Sequence, residues 1–484
     1  MDRRTFLKSL IYNSLIWGVG LNMKLPGMKA HAQENPFPAT HNNVLVNMIL
    51  DGGPDFRHIF APEYSSDINS YGHHYWSKRY TSHYIDGTEE AFQTRWNNDY
   101  LPINSNGVVF GVLNKAGWLK KQFDEGNVAI VNNISFSTTR DHAHSLIVLE
   151  SGDFNAGPHD VARDGWGGRL AKACQGNIIS TTWQVRLFCN GPHESNPLKH
   201  NNESVISARD SRNITLYSPE NLKQNPSSTD TKSIMSRALT SYYKGKRDSL
   251  ATASPYYKFL HYEKVLREFG NNVQNRLKDI PVPEAIAALY EDEQTILKSS
   301  YIGRQCRNVY DSFACSDIFN LRIASMEYPL WDSHKKQVDW IEPKIEDLFG
   351  DGKAFDILTQ CIKNDMPDAY EKMIILVSGE FGRQLASNGD RGTDHGKGNS
   401  VLLIGKPVKG GIYGEMFPQS EIEEDFMGRT KYDIPNTDIE GLTSMEQIFG
   451  TICDWVHDGS GDNVFPGRKS SIIEPGLDLS QILS

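Results

Sequence analysis

The sequence predicts an α/β fold in which helices cover both faces of a doubly wound, mostly parallel sheet, with a largely helical insertion. Three observations lead there. Short apolar, β-branched runs recur along the chain, amphipathic helical stretches fall between them, and polar clusters directly follow the runs. A strand buried on both faces reads as a continuous apolar run, the pattern of a parallel sheet packed under helices.

The elements follow in chain order. Residues 1–32 hold the pair Arg3-Arg4, then Thr5-Phe6-Leu7-Lys8, then the moderately apolar LIYNSLIWGVGL, and end on Ala30-His31-Ala32. The apolar stretch is too short and too polar to span a bilayer. A basic start, an apolar middle and a small-x-small end in that order form an export signal of the twin-arginine type. The expected mature chain is therefore 33–484, carried by the twin-arginine export machinery to the periplasm or beyond, without a transmembrane anchor. That route moves folded proteins, so a metal can be loaded before crossing.

The run VLVNMIL (44–50) is read as the first parallel strand and VAIVNNI (128–134) as the second. Residues 192–232 are rich in Asn, Ser, Pro and Lys and read as long loops, while 233–300 look helical, clearest in EAIAALYEDEQTILKSS. The segment 192–300 is thus expected to be an insertion or cap on the sheet. After it come the run LRIASMEYPL (321–330) and a helix whose apolar face is Ala354, Ile357, Leu358, Cys361 and Ile362. Next are the parallel strands MIILVS (373–378) and VLLIG (401–405). A last helix is expected to begin at Thr443, with Glu446 completing a capping box, and to bury Ile448, Phe449, Ile452 and Val456.

Charge narrows the partners. Residues 1–32 hold five of the 50 Lys and Arg and one of the 60 Asp and Glu, so the mature chain keeps 45 against 59, a net of −14. Such a surface disfavours phosphate-backbone contacts, which excludes nucleic acid as the expected partner and suits cations. The six cysteines lack the close pairs of a structural zinc site. Cys361 and Cys453 lie in helical apolar patterns as small core residues, and Cys306 with Cys315 is open to either a disulfide or two thiols.

Ligands of open α/β sheets bind beyond the carboxyl ends of the strands, so the residues following each apolar run are the informative ones. After the first run come Asp51-Gly52-Gly53-Pro54-Asp55. After the second come Ser137, Thr138, Thr139, Arg140, Asp141, His142 and His144, at the expected start of a helix. LRIASMEYPL leads into Trp331-Asp332-Ser333-His334, and MIILVS into Gly379-Glu380-Phe381-Gly382-Arg383. Before the next strand lie Thr393-Asp394-His395. A lone Asp after a strand is more often a helix N-cap, and a lone His an ordinary core or surface residue. Recurrence after successive strands instead points to a divalent metal centre, with Asp51, Asp55, Asp332, His334, Glu380, Asp394 and His395 as candidate ligands. Mixed carboxylate and imidazole ligands suit zinc or manganese.

From Val44 to about Arg468 the chain resembles the domain-of-unknown-function 1501 family, exported proteins placed in the alkaline phosphatase and sulfatase-like superfamily. The motifs run in order: LVNMILDGGPD, RDHAHSLIVLESG, DGWGGRL, WDSHKKQ, LVSGEFGR, GTDHGKGN, PVKGGIYG and FPGR. The resemblance implies an alkaline-phosphatase-like fold and a metal-dependent hydrolase of phosphate or sulfate esters, acting through a hydroxyl at a helix start. It makes Asp51 or Asp55 the first-strand carboxylate, Asp332 and His334 one ligand pair, Glu380 a carboxylate of a second ion and His395 the late histidine. Arg383, Asp394 and Lys397 would lie near the anion or behind the ligands. The chain also departs from the pattern. Phosphatases carry Asp-His where this chain has Glu380-Phe381, and the family shows arginine, Ser-His and Gly-Trp where this chain has Asp51, Asp141-His142 and Leu330-Trp331. One formed metal site is expected rather than two, and Thr139, Thr138 or Ser137 would have to stand in for the serine.

Two functions remain. One is an exported metal-dependent hydrolase of a small anionic substrate, with Thr139, Arg140, Asp141, His142 and Arg383 as the catalytic group. The other is a non-catalytic exported binding or assembly protein with a polysaccharide-related surface partner. If 1–32 is the export signal, changing Arg3 and Arg4 together to Lys leaves the precursor inside the cell, as cell fractionation with an antibody to the protein reads; unchanged export of the double variant rules the twin-arginine reading out.

Overall fold

The run Val44–Leu50 forms β1, and its side chains alternate between two apolar cores. Val44, Val46, Met48 and Leu50 enter one; Leu45 and Ile49 enter the other, on the opposite face of the sheet, as the two-residue period of a strand requires. The computed structural model describes residues 42–196, 199–202, 204–213, 269–270, 272–291 and 299–484, with isolated positions between 234 and 257. The expected export signal at 1–32 and much of the expected insertion lie outside the described residues.

Among the described residues, nine strands form the central sheet: β1, β2 Val128–Ser135, β3 Asn177–Ser180, β4 Val205–Ser207, β5 Leu321–Tyr328, β6 Met373–Ser378, β7 Gly398–Ile404, β8 Gly411–Tyr413 and β9 Thr443–Ser444. Their order is β8-β2-β7-β6-β1-β5-β3-β4, and β9 also pairs with β2. Most pairs are parallel: β1 with β5 and β6, β3 with β5 and β4, and β8 and β9 with β2. The run VLLIG is the exception. As β7 it lies antiparallel to both β6 and β2, not parallel as its apolar pattern suggested. The reason is its connection: residues 379–397 hold no helix, and a parallel return needs a crossover that only such an element normally supplies.

Helices cover both faces. Among them are α1 His142–Ser151, α2 Trp166–Ala173, α3 Ser299–Ala314, α4 Gln337–Phe349, α5 Ala354–Asp365 and α6 Met445–Val456. Ile147, Leu170, Ile448 and Phe449 of α1, α2 and α6 fill one core; Val309, Ile345 and Leu358 of α3, α4 and α5 fill the other. The N-cap of α6 falls one residue later than the expected Thr443. Thr443 pairs with Ile134 in the sheet, which leaves Ser444 as the N-cap, its hydroxyl accepting the Glu446 N–H at 3.2 Å.

Within 192–300, Val205–Ser207 adds the edge strand β4, and Val273, Leu277 and Ile286 join the first core. A small antiparallel sheet, Phe60–Pro62, Tyr100–Ser105 and Val108–Leu113, caps the same face. Its companion helices Tyr71–Arg79 and Glu89–Asp99 bring Trp76, Phe92 and Trp96 into that core. Cys306 and Cys315 are both buried there as free thiols. No helix among the described residues is long and apolar enough to cross a membrane.

Glu342 of α4 ties this cap to the helices that cover the sheet. It is buried, accepts from His58 Nε2 at 3.0 Å, and pairs with Arg95 and, at 3.3 Å, with Lys115. Burial would raise its pKa, yet the His58 hydrogen bond and the three partners hold it down at about 2, against an ordinary 4.5. A carboxylate depressed in the folded state stabilises above its unfolded pKa, and that contribution disappears as pH falls from about 4.5 through 2. Urea unfolding of Glu342→Gln is therefore expected to show a stability loss of up to about 3 kcal/mol at pH 6 that vanishes toward pH 2; a pH-independent difference from the wild type contradicts the ion network.

Candidate metal centre

The reversal of β7 decides where the site forms. Strands β1, β2, β5 and β6 end at one edge of the sheet, and the antiparallel β7 begins there, with Gly398 opposite Ser135. The segment before β7, which holds Asp394 and His395, thus meets the segments after the other four strands. Gly52 permits the close approach: its φ is +120°, and a Cβ there would lie 2.5 Å from the Asp332 nitrogen. Its N–H points at the buried Glu380 carboxylate, 2.9 and 3.1 Å from the two oxygens.

Asp332 is the focus. Its carboxylate accepts from the Arg383 guanidinium at 2.8 Å, and the Nε2 atoms of His395, His334 and His142 lie 3.3, 3.4 and 3.6 Å from its oxygens. His142, Asp332 and His395 each present one ligand atom within 4.8 Å of the others. The far nitrogen of each ring is held by an acceptor. His142 Nδ1 lies 2.8 Å from Glu380, His334 Nδ1 2.8 Å from Asp394, and His395 Nδ1 2.8 Å from the Arg140 carbonyl.

Carboxylates and carbonyls at neutral pH only accept, so each Nδ1 carries its hydrogen and each neutral ring offers a lone pair at Nε2. His334 Nε2 and His395 Nε2 stand 2.7 Å apart. Two lone pairs facing each other at that distance repel unless a proton or a cation lies between them. The hydrogen bonds to Asp332 and Glu380 push His142 up to about 9. Burial would raise the Asp332 carboxyl, but its histidine partners and Arg383 hold it well below the usual range. The side chains of Asp332, His334 and His142 are 42%, 38% and 35% exposed, so the cluster opens to solvent.

The other candidate residues are placed as follows. Asp394 stands behind His334 and is itself oriented by Asn388, which donates to it and to the His334 carbonyl, both at 2.9 Å. Glu380 stands behind His142. Asp51 faces Arg186 at 3.5 Å, and burial raises its pKa. Asp55 is not brought to the cluster: it is buried and paired with Arg79 at 2.6 Å, with a further bond from Gln337. Arg140 turns its guanidinium to Asp438 and the Asn436 carbonyl. Arg383, fully buried, donates to Asp332 and to the carbonyls of Gly52, Gly53, Trp331 and Thr393. The Thr139 hydroxyl accepts the Asp141 N–H at 3.1 Å, Ser137 bonds to Ser145 at 2.9 Å, and Thr138 is exposed. Asp141 caps α1, accepting the His144 N–H at 2.8 Å, which puts His142 in the first turn, aimed at the strand ends.

His142, Asp332 and His395 could together hold an ion, with His334 Nε2 beside that of His395; imidazoles held from behind by acceptors and one carboxylate are donors of the kind that zinc takes, unlike an all-oxygen calcium cage. Sequence reasoning set His142 among catalytic groups, not ligands, and passed over Asn388 and Arg186. No spacing rule marks Asn388, and Arg186 lies outside any strand-end cluster.

Residues 317–425 match the profile of a family described as "Protein of unknown function (DUF1501)". The matched stretch contains Asp332, His334, Glu380, Arg383, Asp394 and His395 and supports the resemblance drawn from those motifs; His142 lies outside it. No curated protein matches the chain.

If the rings are held for a cation, loss of a holding group weakens binding without removing a ligand. Asp394→Asn is expected to lower zinc affinity about 10- to 100-fold, and Asp332→Asn by more, in competition titrations against a fluorescent chelator. Wild-type affinity in both variants sinks the assignment.

Proposed function

We propose that the protein is an exported hydrolase, dependent on one divalent ion, zinc or manganese, that acts on a phosphate or sulfate ester or a related anionic substrate on an alkaline-phosphatase-like fold. The observation that carries this reading is the convergence of three Nδ1-anchored histidines on the Asp332 carboxylate. His142, Asp332, His395 and His334 would hold the ion, which when bound polarises an ester oxygen and lowers the pKa of a nucleophile. Arg383 keeps Asp332 ionised and aimed. Glu380 and Asp394 keep His142 and His334 in the tautomer that leaves Nε2 available. The exposed face of the cluster admits the anion from solvent. The hydroxyls of Ser137 and Thr139 are held in local hydrogen bonds and Thr138 faces solvent, which favours attack by water over a covalent phosphoenzyme.

A second reading has its own support. Arg140 and Arg383 both direct their guanidinium groups at protein acceptors, so neither faces an incoming anion. That favours a non-catalytic exported protein that keeps the fold for binding or assembly with a polysaccharide-related surface partner. In either case the route is twin-arginine export to the periplasm or outside the cell.

Metal analysis of the purified protein, together with hydrolysis of 4-nitrophenyl phosphate and 4-nitrophenyl sulfate, separates the readings. The hydrolase predicts about one ion per chain and slow turnover that falls at least 100-fold in His334→Ala. Stoichiometric metal with no turnover of either ester moves the conclusion to the binding protein; turnover that survives His334→Ala overturns the centre.

A further inference from the structure

A cavity of about 350 Å³ lies beside the metal centre, at the small end of the range that small-molecule sites occupy. Its wall is apolar: Leu146, Ile147, Val161, Val185 and Leu187, with the indole of Trp183. Trp183 and Val161 are 65% and 66% exposed, so two large apolar groups stand in water at its mouth. The Arg209 guanidinium lies over the indole at 4.5 Å and fixes the plane of the ring.

The cavity and the centre share α1. His142 opens this helix, and Leu146 and Glu150 follow on the same side at four-residue spacing. A rise of 1.5 Å per residue puts Leu146 about 6 Å and Glu150 about 12 Å along the axis from His142. A second link runs through Arg186, which lines the cavity and reaches the Asp51 carboxylate at 3.5 Å.

The polar groups of the cavity say what it excludes. Glu150 and Glu327 of the lining, and Asp51 beyond it, surround the Arg186 guanidinium, and with Arg209 over the indole the balance is still negative. An additional anion would meet net negative charge there. The two lining carboxylates are already engaged: Glu150 accepts from Arg186 and the Phe188 N–H at 2.9 Å, and Glu327 accepts from Arg186, Tyr301 and the Trp183 N–H. Of the remaining lining, the exposed Gln184 alone adds a side-chain amide for a hydroxyl, while the apolar walls and the indole offer stacking and burial over a larger area.

We infer that this cavity binds the organic part of the substrate, and that this part is uncharged, flat and largely apolar, as in an aryl ester carrying one anionic group. The inference rests on the hydrolase reading for the position of the anion, and on the cavity alone for the organic group.

The test uses 2-naphthol, 2-naphthyl phosphate, inorganic phosphate and glucose as probes, followed by calorimetry. Saturable binding of 2-naphthol is expected with and without EDTA. It should weaken at least tenfold in Trp183→Ala and in Val161→Glu, both exposed positions where the fold is not at risk, and should persist in His334→Ala. Metal-loaded protein should bind 2-naphthyl phosphate at least tenfold more tightly than either fragment. Absence of naphthol binding, indifference to both cavity variants, or tighter binding of glucose overturns the cavity assignment. An ester that binds no better than its stronger fragment overturns the link to the centre. Retained naphthol binding alongside hydrolysis that ignores His334→Ala overturns the metal reading and leaves the cavity assignment standing.

Discussion

The buried guanidinium of Arg383 is the interaction on which this end of the molecule depends. Its donors reach the carbonyls of Gly52 and Gly53 after β1, of Trp331 after β5, and of Thr393 before β7, and end on the Asp332 carboxylate. One side chain thereby joins three segments remote in sequence. A charge at 0% exposure is tolerated only because every direction it faces is an acceptor, and removing such a group typically costs about 3–5 kcal/mol. The same bond that neutralises Arg383 aims Asp332 outward toward the histidines.

Around this anchor the chain accepts local strain. Leu330, Lys336 and Arg391 adopt left-handed backbone, with φ of +70°, +48° and +63°, on either side of Asp332, His334 and Asp394. Each is a conformation that a side chain with a Cβ disfavours by roughly 1 kcal/mol or more. Gly392 lies in the same turn, where a Cβ would come 2.1 Å from the Ser333 carbonyl oxygen. The loops carrying the histidines are thus over-determined by their neighbours, which suits groups that must keep Nε2 atoms together against their mutual repulsion.

The same logic explains the carboxylates that the cluster does not use. Asp55 and Asp51 both follow β1, yet Arg79 from the capping unit takes the first and Arg186 faces the second. Glu380 is filled by the Gly52 N–H and His142. What resembles a second set of ligands in sequence is, among the described residues, a set of ion pairs and supports around the cluster at Asp332. Arg186 in turn binds Glu150 of α1 and Glu327 of β5, so the neighbouring cavity is built from the same elements as the centre.

Local pattern determined the strands and the helices that cover them. Val44–Leu50 and Met373–Ser378 coincide with apolar runs, because a strand covered on both faces must be apolar throughout. It also determined that polar residues follow those runs, since an α/β sheet offers its strand ends to solvent. Direction was not legible. An apolar run has no arrow, and VLLIG reads the same in a parallel or an antiparallel strand; only the helix-free connection over 379–397 turns β7 around and brings His395 to His334. Nor could the sequence say which carboxylate stays available, because that depends on where Arg79, Arg186 and Arg383 end, and a long flexible side chain finds its partner by tertiary packing and not by spacing.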